Sequence, residues 1–455
     1  MSLKSINPKN DRLVREYSRA SPQAVERALS AAAAAFRRHR QLPWRERAEQ
    51  LDDLADRLDD GCAELARLIT DEMGKTLSAA LAEVRKCAWV CRHYAEHGEA
   101  MLRDESLASD DYSSCRVQHQ SLGPVLAVMP WNFPLWQVFR FTAPAVMAGN
   151  VVLLKHASNV PRTALRLQEL FEAAGFLPGA FQTLLIGPER VEEVLADRRV
   201  RAATVTGSVK AGTAVASIAG RYGKKTVLEL GGSDPFIVMP SADLEPCIEA
   251  AVTARTLNNG QSCIAAKRFM VHDKVYEAFV EGFANGLRAL RIGDPVLEST
   301  DLGPLALSRL SRRLDRQVRT LLERGAERIL GATPIEGPGN FFEPGILAGI
   351  DDDAPPFDEE LFGPVAWVLR VADLEDAIVR ANQTQYGLGS SIWTRNRDEA
   401  ALACREIEAG ATFVNSIVQS EPGLPFGGIK ASGYGRELAR DGILEFVNRK
   451  TVAIA

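Results

Sequence analysis

The sequence predicts an α/β protein built around two mostly parallel sheets. Three observations lead there. Short apolar runs alternate with helical stretches at spacings of about 20 to 30 residues, the rhythm of βαβ units. That rhythm runs from Val125 to about residue 230 and then starts again near Pro235. Ahead of it, residues 23–104 repeat their apolar side chains at a helical period.

Taken in order, Ala24–Phe36 is an alanine-rich helix, and Pro43 opens the next, Trp44–Leu58. Glu64–Ile69 and Leu77–Leu102 continue the helical pattern. Tyr112–Gln120 then alternates like a strand and stops at the turn Gly123-Pro124. The first strand set is Val125–Met129, Val151–Leu154, Thr183–Ile186, Ala202–Thr206 and Thr226–Leu230, with helices such as Thr163–Ala174 and Val191–Ala196 between them. The second is Phe236–Val238, Arg268–Val271, Val365–Val371, Leu388–Trp393 and Thr412–Val414, with helices Val275–Leu290 and Ser308–Arg324. A final strand-like piece, Thr451–Ile454, has two available partners: Tyr112–Gln120 or the edge of another subunit.

A chain of 455 residues is long enough for two or more domains, and 46% hydrophobic with 25% charged residues is a globular composition. A net charge of -5 supplies no basic field for a phosphate backbone, which argues against nucleic acid; Arg37-Arg38-His39-Arg40 reads as a solvated helix face. The N-terminus is polar, without the apolar stretch of a secretory signal. The most apolar run, Phe141–Leu154, is interrupted by Pro144, Gly149 and Asn150, short of the ~18 residues of a membrane span. Seven cysteines are scattered, and the pair Cys87 and Cys91 lacks the further ligands of a zinc site. The expectation is a cytoplasmic protein with reduced thiols, no metal and no membrane.

The glycine fingerprint of dinucleotide folds is absent. Gly433-x-Gly435 and Gly387-x-Gly389 both fail at the last position, and the stretch from Gly207 to Gly212-Thr213 lacks a phosphate-binding lysine. Thr206-Gly207-Ser208 nevertheless follows a strand and opens a helix, where free N–H groups can face an anion. Four further segments stand out: Pro130-Trp131-Asn132-Phe133-Pro134, Leu228-Glu229-Leu230-Gly231-Gly232, Asn259-Gly260-Gln261-Ser262-Cys263 and Glu360-Leu361-Phe362-Gly363-Pro364. They resemble, in order and spacing, the signature segments of the aldehyde dehydrogenase superfamily. The likeness extends from Asp71-Glu72-Met73-Gly74-Lys75 to Gly433-Tyr434-Gly435-Arg436-Glu437.

That resemblance implies a Rossmann-like cofactor domain (1–111 and 131–230), an α/β catalytic domain (231–418) and a small β oligomerisation arm (112–130 and 437–455), in a homodimer or homotetramer. It also implies roles that chemistry supports. A planar carbonyl carbon cannot release hydride, so an aldehyde must first become a tetrahedral adduct, and a thiolate is suited both to form it and to leave. Of the seven thiols Cys263 has small polar neighbours, whereas Cys87, Cys91 and Cys404 lie in helical patterns. The Asn132 amide and the Cys263 N–H match the donors for the adduct's oxyanion. Glu229 matches the general base that activates water on the thioester, which implies hydrolysis rather than acyl transfer to coenzyme A.

On the cofactor side the likeness assigns Trp131, Asn132, Lys155, His156, Ala157, Ser158, Gly207, Ser208, Leu230, Glu360 and Phe362. Many NAD-preferring members carry a glutamate three residues after the lysine. Here the run is Lys155-His156-Ala157-Ser158, and a neutral hydroxyl leaves room for a 2′-phosphate. NADP is therefore the expected cofactor, with NAD also open; His156 by itself reads as a turn residue. The segments around Trp131–Ser158, Leu228–Pro235 and Asn258–Phe269 resemble the succinate-semialdehyde dehydrogenase branch. Its far carboxylate would be met by Arg140 near Trp136, with Ser420 as a second contact. Glutarate semialdehyde and apolar aldehydes are the alternatives, and an inactive structural homologue is disfavoured because Cys263, Glu229 and Asn132 are all present. Some members of the branch carry an arginine six residues before the nucleophile; Leu257 stands there, and Arg255 is out of phase. Ala265, two residues after Cys263, rules out a local disulfide switch.

Overall fold

Strands buried on both faces read as continuous apolar runs, and those runs form the inner strands of two sheets. The computed structural model describes residues 2–349 and 358–455. One sheet has six strands in the order Gly433–Tyr434, Lys225–Glu229, Ala202–Thr206, Pro124–Met129, Val151–His156 and Phe181–Thr183. All neighbours are parallel except Gly433–Tyr434. The other has seven, in the order Glu327–Leu330, Gly345–Ala348, Val365–Val371, Arg268–His272, Pro235–Val238, Gly389–Trp393 and Ala411–Val414; only the first pair is antiparallel.

The two-set reading holds, with corrections. Pro124–Met129 is central to the six-stranded sheet, not part of a bridging segment 112–130, because it is almost wholly buried between two parallel neighbours. The strand expected at Thr183–Ile186 is Phe181–Thr183, anchored by Phe181 stacking on Phe171 at 4.2 Å. A hairpin of Ser2–Asn7 and Arg12–Ser18 and the strands Glu327–Leu330 and Gly345–Ala348 carried no clear sequence signal. His39 is buried with Nε2 3.0 Å from the Val146 carbonyl, so only the three arginines around it form a solvated face. Val447–Ile454 pairs within the chain, antiparallel to Ser114–Ser121, with Glu105–Leu107 on the far side. Among the described residues no helix is long and apolar enough to cross a membrane.

The strand order of the six-stranded sheet reverses at Pro124–Met129: successive strands lie to one side, Ala202–Thr206 and Lys225–Glu229 to the other. Ligands of open α/β sheets sit outside the carboxyl ends of strands at such a switch point. Trp131-Asn132, Ala157, Gly207-Ser208 and Leu230 follow those ends. Ser208 caps the helix Val209–Arg221, its Oγ accepting from Ala211 N.

Helix Trp136–Met147 is buried along its whole length. A helix end inside protein needs acceptors for its free N–H groups, and Glu83 supplies one: Oε1 accepts from Leu135 N and Trp136 N at 2.8 and 3.0 Å. Its other oxygen is paired with buried Lys75. Glu83 belongs to helix Leu77–Met101, whose inner face packs on Leu51, Leu54 and Leu58 of helix Trp44–Asp60. Truncating any of these leucines to alanine costs about 2–5 kcal/mol.

Candidate active site

After helix Leu244–Thr256 the chain makes a tight loop: Asn258, Asn259 and Gly260 take φ of 58°, 58° and 73° in succession. Asparagine tolerates this region; at the third position only glycine fits, because a Cβ would lie 2.3 Å from the Gly363 carbonyl carbon and 2.5 Å from Pro364 N. The segments holding Gly260 and Gly363 are thus in backbone contact. Lys267 Nζ donates to the carbonyls of Ser262, Cys263 and Ala265 at 2.9, 2.7 and 2.9 Å and lies 3.4 Å from Glu360 Oε1. Arg255, buried, donates from Nη2 to Gly260 O at 2.8 Å, so it braces the loop and reaches no substrate pocket. Sequence reasoning missed Lys267; its only trace is a lysine immediately ahead of an apolar strand.

The Cys263 thiol is half-buried on this loop, and desolvation pushes its pKa up to about 12, against the pull of the Arg140 and Lys267 charges. Asn132 Nδ2 donates to Gln261 O at 3.1 Å, and Asn258 Nδ2 donates to Asn132 O and Gln261 O at 2.7 and 3.0 Å. These bonds hold the Asn132 amide beside the loop that carries Cys263.

Cys263 lines two cavities. The larger, about 350 Å³, is walled by Trp131, Asn132, Lys155, Ala157, Gly207, Ser208, Leu230, Glu360 and Phe362. The smaller, about 220 Å³, is walled by Trp136, Arg140, Ser420, Phe426 and two residues sequence reasoning had not singled out, Glu83 and Lys86. Gln137 also faces both. The structure therefore gathers most of the predicted residues around one thiol.

Four residues depart from expectation. His156 ends a strand rather than making a turn, and its Nε2 faces the Pro134 carbonyl at 2.8 Å; buried there, its pKa falls to about 4, and its ring adds nothing to the larger cavity. Ser158 is exposed, outside that cavity's wall. Glu229 lines neither cavity. Both its carboxylate oxygens are buried without a hydrogen bond, and burial pushes the group well above the usual carboxylate range. Oε1 packs against Gly427, where a Cβ would come within 2.6 Å. Arg140 reaches the smaller cavity with its charge already matched by a buried ion pair to Glu437.

A sequence profile of the aldehyde dehydrogenase family matches residues 1–452. The chain belongs to that family. Among its aldehyde dehydrogenase relatives is a probable succinate-semialdehyde dehydrogenase [NADP(+)] from Synechocystis, 50% identical over 455 residues and matched along all of both chains. The succinate-semialdehyde dehydrogenase [NADP(+)] 1 of Mycobacterium tuberculosis is 49% identical over 457 residues, again along all of both chains. The succinic semialdehyde dehydrogenase of Streptococcus pyogenes, crystallised with NADP+ as the cofactor, superposes with a TM-score of 0.97 at 37% identity, covering 99% of each chain. The aldehyde dehydrogenase fold thus extends over the whole chain, the second α/β unit included.

Proposed function

We propose that this protein oxidises succinate semialdehyde to succinate with NADP as the hydride acceptor. The observation that carries the reading is the meeting of two cavities at one thiol. The larger can take a dinucleotide, and the smaller is lined by cations suited to a substrate carboxylate. The relatives named for this reaction support it.

The larger cavity fits the cofactor by its donor set. Lys155 stands in its wall with no ion pair among the described residues, and burial lowers its pKa, so a phosphate or ribose oxygen there would meet an unmatched cation. The capped N-terminus of helix Val209–Arg221 adds free N–H groups for a pyrophosphate. Exposed Ser158 leaves space for a 2′-phosphate beside Lys155. When bound, the cofactor accepts the hydride.

The protein residues do the remainder. Cys263 gives up its thiol proton to water as its sulfur bonds to the aldehyde carbon, and the Asn132 amide and Cys263 N–H hold the resulting oxyanion. Loss of hydride leaves a thioester. Glu229 then takes a proton from water as that water attacks the thioester carbon, and the adduct collapses to release carboxylate and thiolate. For that step Glu229 must turn from Gly427 toward Cys263, and its raised pKa is relieved once it faces water. The enzyme works in the cytoplasm as a homodimer or homotetramer, assembly being supported by the outer edge of Val447–Ile454, which pairs with nothing among the described residues.

Initial rates with succinate semialdehyde, glutarate semialdehyde and propionaldehyde, each with NAD and NADP, test the reading. Succinate semialdehyde with NADP is expected to give the highest kcat/KM. Propionaldehyde matching it would overturn the carboxylate pocket.

A further inference from the structure

Donors stabilise an oxyanion best when they are fixed and polarised before the charge forms. Of the two donors proposed for the aldehyde oxygen, the Cys263 N–H belongs to the peptide group that joins Cys263 to Ser262. It donates to no acceptor among the described residues. The carbonyl at the other end of that peptide group is doubly engaged. Ser262 O accepts from Ala265 N at 3.2 Å, closing a turn, and from Lys267 Nζ at 2.9 Å. The other two ammonium protons go to Cys263 O at 2.7 Å and Ala265 O at 2.9 Å.

The ammonium exceeds what the turn needs. A buried carbonyl is satisfied by one donor, and Ser262 O has one in Ala265 N. Taking a lysine charge out of water is costly, yet Lys267 is wholly buried, and its one ion pair among the described residues is with Glu360 at 3.4 Å. Burial works against the charge, while Glu360 and Asp234 favour it. The backbone is fixed as well: Lys267 N donates to Asp234 O at 3.1 Å, and Lys267 O accepts from Trp367 N at 2.9 Å. The side chain therefore starts at the foot of Arg268–His272, the middle strand of the seven, and cannot swing away from the loop. A cation at a peptide oxygen draws electron density from the nitrogen end, which makes the N–H a stronger donor, and low dielectric enhances such chains of hydrogen bonds.

We propose that Lys267 is a positioning residue of the oxyanion site: it fixes the Ser262–Cys263 peptide and polarises it, so that the Cys263 N–H binds the developing oxyanion more strongly. Lys267 lines neither cavity and acts only through that peptide. The assignment rests on Cys263 as the nucleophile, and its test separates the two ideas.

An aliphatic trifluoromethyl ketone is the probe. In its reversible adduct the Cys263 sulfur bonds to the carbonyl carbon, the C=O π pair moves to oxygen, and the thiol proton passes to that oxygen. The sulfur no longer ionises, so titration of the adduct by fluorine NMR, with NADP present, reads the acidity of the oxygen. Lys267→Met is expected to lower the acid constant of that oxygen about tenfold or more relative to the wild type, and Lys267→Arg to lower it less. Loss of the adduct in a folded Lys267→Met whose Cys263 still reacts with iodoacetamide supports the assignment too. A lysine that only braces the loop would lower the thermal midpoint of Lys267→Met and leave the oxygen's acidity unchanged, and that result overturns the proposal. A wild type that forms no more adduct than Cys263→Ala overturns Cys263 as the nucleophile. Should Lys267→Met fail to fold by circular dichroism, Lys267→Gln, whose amide keeps neutral N–H donors, is read in the same way.

Discussion

At the scale of single residues, the least expected feature is that Cys263, the nucleophile we propose, is protonated at rest. A thiol pushed up to about 12 holds its proton through the neutral range, and its thiolate fraction grows tenfold with each pH unit below that value. Alkylation of Cys263 by iodoacetamide in the cofactor-free protein should therefore accelerate from pH 7 to pH 10 without levelling off, followed by mass spectrometry of the modified peptide. A plateau near pH 8 would show that Arg140 and Lys267 outweigh desolvation. Cys263→Ala should show no turnover; residual oxidation would mean that another thiol does the work. That Cys263 lines both cavities agrees with its small polar neighbours, which set it apart in the sequence from thiols in helical patterns. Lys86 was not legible there, because a lysine in a long helix looks like any solvated charge until the fold turns that face toward Trp136 and Ser420.

At the scale of elements, the loop after helix Leu244–Thr256 shows how backbone conformation places a reactive atom. Three consecutive left-handed residues cost roughly 1–2 kcal/mol apiece where the side chain is not glycine. Buried Lys267 and Arg255 hold the loop closed by binding its carbonyls. Gly260→Ala would add that cost and drive a methyl group into the Gly363–Pro364 backbone. At least a tenfold loss of kcat/KM with a lower thermal midpoint is expected; normal activity would show that the two segments can part. The same scale explains what sequence patterning reached. Val151–Leu154 and Val365–Leu369 are apolar throughout because parallel strands are covered on both faces. Ser2–Asn7 and Arg12–Ser18 form a largely solvated hairpin whose polar residues look like loop. Gly433–Tyr434 is a two-residue strand, too short for any period, yet it closes the sheet beside Glu229.

At the scale of the whole molecule, the segment after Gly433 ties the first sheet together. Glu437 pairs with Arg140 inside the helix behind the smaller cavity, and burial raises its carboxyl while Arg140 holds it charged. Removing one member of a buried pair strands the other's charge, at about 3–5 kcal/mol. Glu437→Gln should lower the thermal midpoint by several degrees in differential scanning calorimetry. An unchanged midpoint would mean that Thr206 and the Phe426 ring suffice for Arg140. Nearby, Val447–Ile454 completes the small sheet begun at Glu105–Leu107, and Tyr94 donates to the Ala439 carbonyl at 3.0 Å.

The Arg140–Glu437 pair also sets a schedule for synthesis. The two residues are 297 positions apart, so at ~5–20 residues per second the arginine waits for roughly 15–60 s before its partner leaves the ribosome. Throughout that interval the helix Trp136–Met147 carries an unmatched charge, and the strand Ser114–Ser121 lacks its main neighbour. That helix and that strand thus stay without these partners until the segment from Glu437 to Ile454 has been made.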